Sequence, residues 1–373
     1  MNMKKHSLAI LLGLSLLMVS FSLFHLSCGG GGGNSGGSPA INTETGSVAV
    51  FLTDDPADDY SHIYITITKV SLIPADENGG QPVVLYEFPN GYEVDLLAIR
   101  SDDHLLTVKK NIPAGLYSKI RLEIADISPV GGPCGSFKLS SGKIDLNPRE
   151  PFRVIPKTTL AIRLDVDANK SINVSESCVF RPVVFVDILE VAQRCPQILK
   201  GTIKSLITGG TGGPTEGFIL ALDQNRGDLE VSILQNPVIF DENGDFKDGG
   251  SLKAGQEVRV RGSLNNSGVL VASVIVIGDV IDVKGVVNGS VNPDTSLFLF
   301  TPHTGEELVG PYDVLVVQGK TLILTNCDTE VGSEEIKDNI LARVIGKLVR
   351  NNSGEDVLRA VVILLRPAPS PPV

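Results

Sequence analysis

Carboxylates crowd one short stretch of this chain, with Asp54, Asp55, Asp58 and Asp59 falling just after an apolar run. Four negative charges so close repel one another unless a cation or water screens them, and oxygen ligands in this number suit Ca²⁺. The segment has two readings, a Ca²⁺ site and a solvated turn. A third use of the same residues is hydrolytic: Asp55 and Asp58 as acid and base, which requires a cleft that desolvates one of them and raises its pKa. Asp241, Asn243, Asp245 and Asp248 around Gly244 resemble a Ca²⁺ loop at its first, third and fifth positions. Its sixth position should be Gly and is Phe246, and its twelfth should be Glu and is Leu252, so an ordinary Asn-Gly hairpin turn is the competing reading. Asp165, Asp167 and Asn169 alternate along one strand and read as its solvated side.

Other reactive residue types are sparse. Beyond the N-terminal leader the histidines are His62, His104 and His303, and no two share a metal-ligand spacing. Gly33-Asn34-Ser35-Gly36-Gly37 matches a nucleophile elbow in letters only, since it has neither a strand before it nor a helix after it. The glycines at 209, 210, 212 and 213 precede Pro214 and a strand instead of a helix N-terminus, so they read as a hairpin loop and not a phosphate cradle. We therefore expect no catalytic residues, no resident cofactor and no enzyme. The 43 Asp and Glu against 32 Lys and Arg, with no basic cluster, also argue against a nucleic-acid partner.

The five cysteines divide into one and four. Cys28 follows Lys4 and Lys5, the apolar stretch Leu8 to Leu26 and the small residue Ser27, and precedes five glycines. That layout is a lipoprotein signal with acylation at Cys28, palmitate included. The position three before the cysteine is His25 where Leu is usual, and retention of the apolar stretch as an uncleaved anchor is the alternative. Either way the body is exported and membrane-attached, in an envelope compartment that permits disulfides. Cys134 with Cys178 is the favoured pairing, both falling in one domain, and Cys195 with Cys327 is a second, inter-domain possibility.

The elements that must position these residues are strands. Period-two alternation appears in Val48, Val50 and Leu52, in Ile63, Ile65 and Ile67, in Ile120, Leu122 and Ile124, and in Leu160, Ile162, Leu164 and Val166. Asn78-Gly79, Asn90-Gly91 and Pro113-Ala114-Gly115 separate them as turns. In the C-terminal half Lys200-Gly201-Thr202-Ile203 recurs as Lys284-Gly285-Val286-Val287, and Val258-Arg259-Val260-Arg261-Gly262 recurs as Ala342-Arg343-Val344-Ile345-Gly346. In this register Gly255 aligns with Asn339, an exchange that a turn residue with positive φ tolerates. The expected architecture is all-β: residues 1–27 a leader, 28–45 a Gly/Ser-rich tether, 46–192 an antiparallel β-sandwich, 199–280 and 283–366 two repeated small OB-like barrels, and 367–373 a Pro-rich tail.

Two resemblances accompany these patterns. Gly46-Ser47-Val48-Ala49-Val50-Phe51-Leu52-Thr53-Asp54-Asp55-Pro56, Ile112-Pro113-Ala114-Gly115-Leu116-Tyr117, and Asp165 to Ile172 followed by Arg181-Pro182 resemble domain of unknown function 4382, with Asp55 where that pattern usually has Ala. The repeats, with their Lys-Gly start and Val-x-Val-x-Gly centre, resemble domain of unknown function 5666. The resemblance implies a bacterial surface or periplasmic lipoprotein and supplies no catalytic residues. The expected function is a lipid-anchored envelope protein that binds or scaffolds a protein or glycan; the alternative is an envelope hydrolase, or an accessory domain of one, using Asp carboxylates.

Overall fold

The computed structural model describes residues 44–366 apart from 56–58, 76–79, 100–102, 174–177, 191–194, 304–305, 326, 328 and 352. The leader, Cys28, the tether through residue 43, the Asn78-Gly79 turn, Asp58, the side chain of Asp55 and the Pro-rich tail lie outside the described residues. Strand is the dominant element in the rest, with only short helical turns between strands. The first module comprises β1 (Thr45–Asp55), β2 (His62–Pro74), β3 (Val83–Asp95), β4 (His104–Pro113), β5 (Gly115–Val130), β6 (Lys143–Leu146), β7 (Phe152–Val154), β8 (Thr159–Asp167), the short helix α1 (Ala168–Ser171) and β9 (Val184–Glu190). One sheet has the order β9-β8-β1-β4 and the other β3-β2-β5-β6, with β7 also on β5.

The alternating residues read from the sequence meet between these sheets. Val50 and Leu52 of β1, Ile63 and Ile67 of β2, Leu122 of β5 and Leu164 of β8 share one core. Full burial of such a side chain contributes about 1.5–3 kcal/mol relative to leaving it exposed. The all-antiparallel expectation needs one correction, because β1 and β8 run parallel over nine paired positions. The reason lies on the far side of β1. Its second face, Ala49 and Phe51, is buried too, together with Leu105 and Ala161, against apolar residues of the next module. A strand covered on both faces is the usual setting for parallel pairing, so β1 is a central strand and not half-solvated. Asn90-Gly91 is also not a chain reversal. It is an irregularity inside β3, where Gly91 has φ +74° and an added Cβ would lie 2.6 Å from Thr66 Cγ2.

The second module comprises β10 (Gln197–Thr208), β11 (Thr215–Leu222), β12 (Asp228–Ser232), β13 (Val238–Asp241), β14 (Glu257–Leu264) and β15 (Leu270–Ile277). The third comprises β16 (Ile281–Asn288), β17 (Leu297–Pro302), β18 (Tyr312–Leu315), β19 (Leu322–Thr325), β20 (Leu341–Arg350) and β21 (Asp356–Arg366). In the third module β16-β17-β18-β21-β20 close on β16 as a five-stranded barrel whose β18–β21 contact is parallel. The second module has the same circuit, β10-β11-β12-β15-β14, again with one parallel contact, β12 to β15.

Equivalent residues do equivalent work in the two barrels. Gly255 and Asn339 both have positive φ, +86° and +62°, and their amides donate to Ile203 O and Val287 O. Gly262 and Gly346 both sit at a register shift, where an added Cβ would lie 2.4 Å from Val271 O and 2.2 Å from Arg359 O. Asn265 and Asn351 each accept two backbone amides through Oδ1 in the hairpin that follows.

The three modules are joined by apolar and polar contacts. Phe240, Val274 and Val276 of the first barrel pack with Ile345, Val362 and Leu364 of the second. Arg226 donates to Leu105 O at 2.7 Å, and Lys284 Nζ donates to Ala98 O at 2.9 Å, tying each barrel to the sandwich.

Candidate binding cleft

A cavity of about 610 Å³ opens where the three modules meet. The sandwich contributes Glu93, Asp95, Asp103, His104 and Arg163; the first barrel contributes Lys200, Asp223, Arg226, Arg259 and Arg261; the second contributes Asp282, Lys284, Glu306, Glu307, Arg343 and Arg366. Cations slightly outnumber carboxylates along this wall, the reverse of the chain as a whole.

Within this wall Asp282 stands between two arginines. Arg343 grips it in a two-pronged contact at 2.6 and 2.7 Å, and Arg259 approaches at 3.8 Å. Burial alone would raise this carboxyl, but Arg343, Arg259 and Lys284 together hold it below the usual carboxylate range. Arg259 is itself buried and also donates to Val280 O at 2.8 Å. On the sandwich side the Tyr92 hydroxyl meets His104 Nε2 at 2.5 Å, and the Arg226 guanidinium lies over the Tyr92 ring. Burial pushes Tyr92 up to about 12, so it stays neutral. Glu306 is half-buried, and desolvation raises its carboxyl despite the nearby Lys284 and Arg343. His62, by contrast, pairs with Asp95 at 2.7 Å.

Sandwich and barrels can now be set against known families. Residues 45–182 match the model of a domain of unknown function, DUF4382. Residues 216–276 match that of a second domain of unknown function, DUF5666. No curated protein matches the chain, and no solved structure does. The DUF4382 region supplies the Tyr92 and His104 side of the cleft, and the DUF5666 region supplies Asp223, Arg226, Arg259 and Arg261.

Of the acidic segment read as a Ca²⁺ site, the described side chains, Asp54 and Asp59, are not among those lining this cleft. Asp54 is buried, on the same face of β1 as Val50 and Leu52, whereas Asp59 is exposed. Among the described residues no three or more His, Cys, Asp or Glu side chains are grouped to hold a metal. The loop of Asp241 to Asp248 serves the interface between the barrels instead. Lys320 pairs with Asp245 at 2.6 Å, Arg359 donates to Asn243 Oδ1 at 2.6 Å, and Lys347 pairs with Glu242. Asp241 accepts the amides of Asn243 and Asp245 within the turn. Asp167, expected on a solvated side, is buried and caps α1, its Oδ1 accepting the Lys170 amide at 2.9 Å. Cys134 and Cys178 are disulfide-bonded, and so are Cys195 and Cys327, the latter joining the entry to the first barrel to the second barrel.

Sequence reasoning missed the cleft arginines because Arg259 and Arg261 alternate with Val258 and Val260, the pattern of a strand with one wet face. Here every residue from Val258 to Gly262 is buried, with Arg259 donating to Val280 O and Arg261 to Pro196 O. A usable signal was present. The repeated segments carry the same cations at equivalent positions, Lys200 with Lys284 and Arg259 with Arg343.

Proposed function

We propose that this is a lipid-anchored envelope protein whose fused modules bind or scaffold a protein or glycan without performing a reaction on it. The observation that carries the reading is the charged cleft at the junction of all three modules. Its arginines are held by Asp282, Asp223 and main-chain carbonyls, so the groups are fixed in place for recognition. Preorganised polar groups of this kind bind without the entropy cost of ordering flexible side chains. The leader and Cys28 support attachment to the membrane, and the glycine-rich tether after Cys28 supports display of the body away from it.

The second reading, a hydrolase or an accessory domain of one, draws its support from Glu306, a carboxyl raised by burial at the cleft wall. One experiment addresses both. The full chain in detergent and its Lys200→Gln/Lys284→Gln variant are used as paired baits for envelope extract, and captured material is then incubated with the protein. A partner held by the parent and lost by the variant supports binding; equal recovery by both, or none by either, counts against it. Cleavage of the captured partner that disappears in Glu306→Gln would favour the hydrolase.

A further inference from the structure

The two disulfides stand in different surroundings. Cys134 is 1% exposed, belongs to the same apolar cluster as Tyr60 and Phe180, and is bonded to the half-buried Cys178. Cys327 is exposed in a turn of the second barrel, and its partner Cys195 is half-buried on the cleft wall. A disulfide is opened when a thiolate reaches one of its sulfurs, so access decides which bond exchanges, and exposed disulfides are the labile ones. On that ground Cys195–Cys327 is open to attack and Cys134–Cys178 is shielded on one side.

The position of the exposed bond gives its opening a consequence. Cys195 stands two residues before β10, where the chain passes from the sandwich into the first barrel, and Cys327 stands two residues after β19 of the second. β19 is four residues long and pairs with a single strand, β21, in parallel. The chain returning after Cys327 adds two backbone bonds, Val331 N to Ile323 O and Thr329 O from Thr325 N. Leu324 of β19 is buried in the seam between the barrels. A short edge segment with few bonds belongs to the low-stability end of a fold, and here the S–S bond pins it to the start of the other barrel. The modules have further ties that involve neither cysteine, among them Lys320 to Asp245, Arg359 to Asn243 and Arg226 to Leu105 O.

We infer that Cys195–Cys327 is a thiol–disulfide exchange site, opened by a dithiol reductant, whose reduction releases β19 of the second barrel while the modules stay joined. A thiolate of the reductant attacks Cys327 Sγ, the S–S bond breaks, and its electron pair leaves on Cys195 Sγ, which takes up a proton. The second thiol of the reductant then attacks its own sulfur in the mixed disulfide and releases Cys327 as a thiol. The protein gains two electrons and two protons, and the dithiol becomes a disulfide. This site is separate from the binding reading above and stands with or without it.

The test is incubation of the oxidised full chain in detergent with graded dithiothreitol, followed by alkylation and peptide mass spectrometry. Cys195 and Cys327 should be alkylated about tenfold or more faster than Cys134 and Cys178. With glutathione in place of the dithiol, the trapped mixed disulfide should sit on Cys327. Hydrogen exchange of the selectively reduced protein should rise in β19 and stay unchanged in β1 and β5, with the far-ultraviolet spectrum unaltered. The Cys195→Ser/Cys327→Ser variant should show the same exchange pattern without any reductant. Simultaneous opening of both disulfides, earlier opening of Cys134–Cys178, or glutathione on Cys195 would overturn the inference. So would unchanged exchange in β19, or loss of the strand spectrum on selective reduction.

Discussion

Replacing Asp282 by Asn tests how the two barrels are held in register at the cleft. The side chain is 11% exposed and stands between the Arg343 fork and Arg259. Asn keeps the shape and removes the charge, leaving two guanidinium groups facing each other in a poorly hydrated site. Removing one partner of a buried ion pair costs about 3–5 kcal/mol, because the remaining charge is left uncompensated. For a cooperative unit the size of the two barrels, roughly 2–4 °C is lost per kcal/mol, so the melting temperature should fall by about 6–20 °C. The assay is thermal and urea unfolding of parent and variant from pH 3 to pH 8. The folded-state pKa of Asp282 lies below its unfolded value. Its contribution is therefore present above the unfolded carboxylate pKa of about 3.9 and is lost as pH falls through the folded pKa. The gap between parent and Asp282→Asn should be full at neutral pH and close as the medium becomes strongly acidic. A variant within about 1 kcal/mol of the parent at pH 7, or a gap independent of pH, would refute the assignment of Asp282 as the carboxylate that holds both arginines.

Three further perturbations follow from the same geometry. Gly262→Ala and Gly346→Ala each drive a methyl group into a carbonyl oxygen, at 2.4 and 2.2 Å, and should destabilise by similar amounts, about 1–3 kcal/mol, in denaturant titrations; a harmless substitution in one barrel alone would contradict their equivalence. Replacing Cys134 and Cys178 together by Ala opens a link spanning 44 residues and should cost about 4 kcal/mol by the chain-entropy relation, measured as a lower urea midpoint for loss of sandwich structure. Glu306→Gln should raise the melting temperature at pH 7: the Glu306 pKa is raised on folding, so its ionised form carries a penalty that appears as pH rises through the folded pKa and is absent below the unfolded one. Parent and Glu306→Gln should therefore converge on acidification, and a variant less stable than the parent at pH 7 would contradict burial as the cause.

What the sequence revealed and what it concealed divide along a physical line. Strand alternation and the Gly255–Asn339 exchange were legible because each is fixed by local backbone geometry and one buried face. Asn339 at φ +62° meets the condition that the alignment demanded. The second buried face of β1 was not legible, since Ala49 and Phe51 are apolar for the sake of a module some 150 residues away in the chain. The loop from Asp241 to Asp248 carried two readings, a Ca²⁺ loop and an Asn-Gly turn, and the turn is what forms, with Lys320, Lys347 and Arg359 of the other barrel on Asp245, Glu242 and Asn243.

Two barrels with the same strand circuit present comparable faces, and the face with Lys200 and Arg259 has its counterpart in Lys284 and Arg343. The copies diverge where they meet. The position equivalent to Asp282 is Ile198 in the first barrel, which packs in the apolar seam between the modules, whereas Asp282 sits between the two equivalent arginines. One substitution thus sets the two copies different tasks: Ile198 contributes to the seam, and Asp282 draws Arg259 and Arg343 to a common point. Glu257 adds a second carboxylate at 3.1 Å from Arg259, so Asp282 and Glu257 together hold the two arginines.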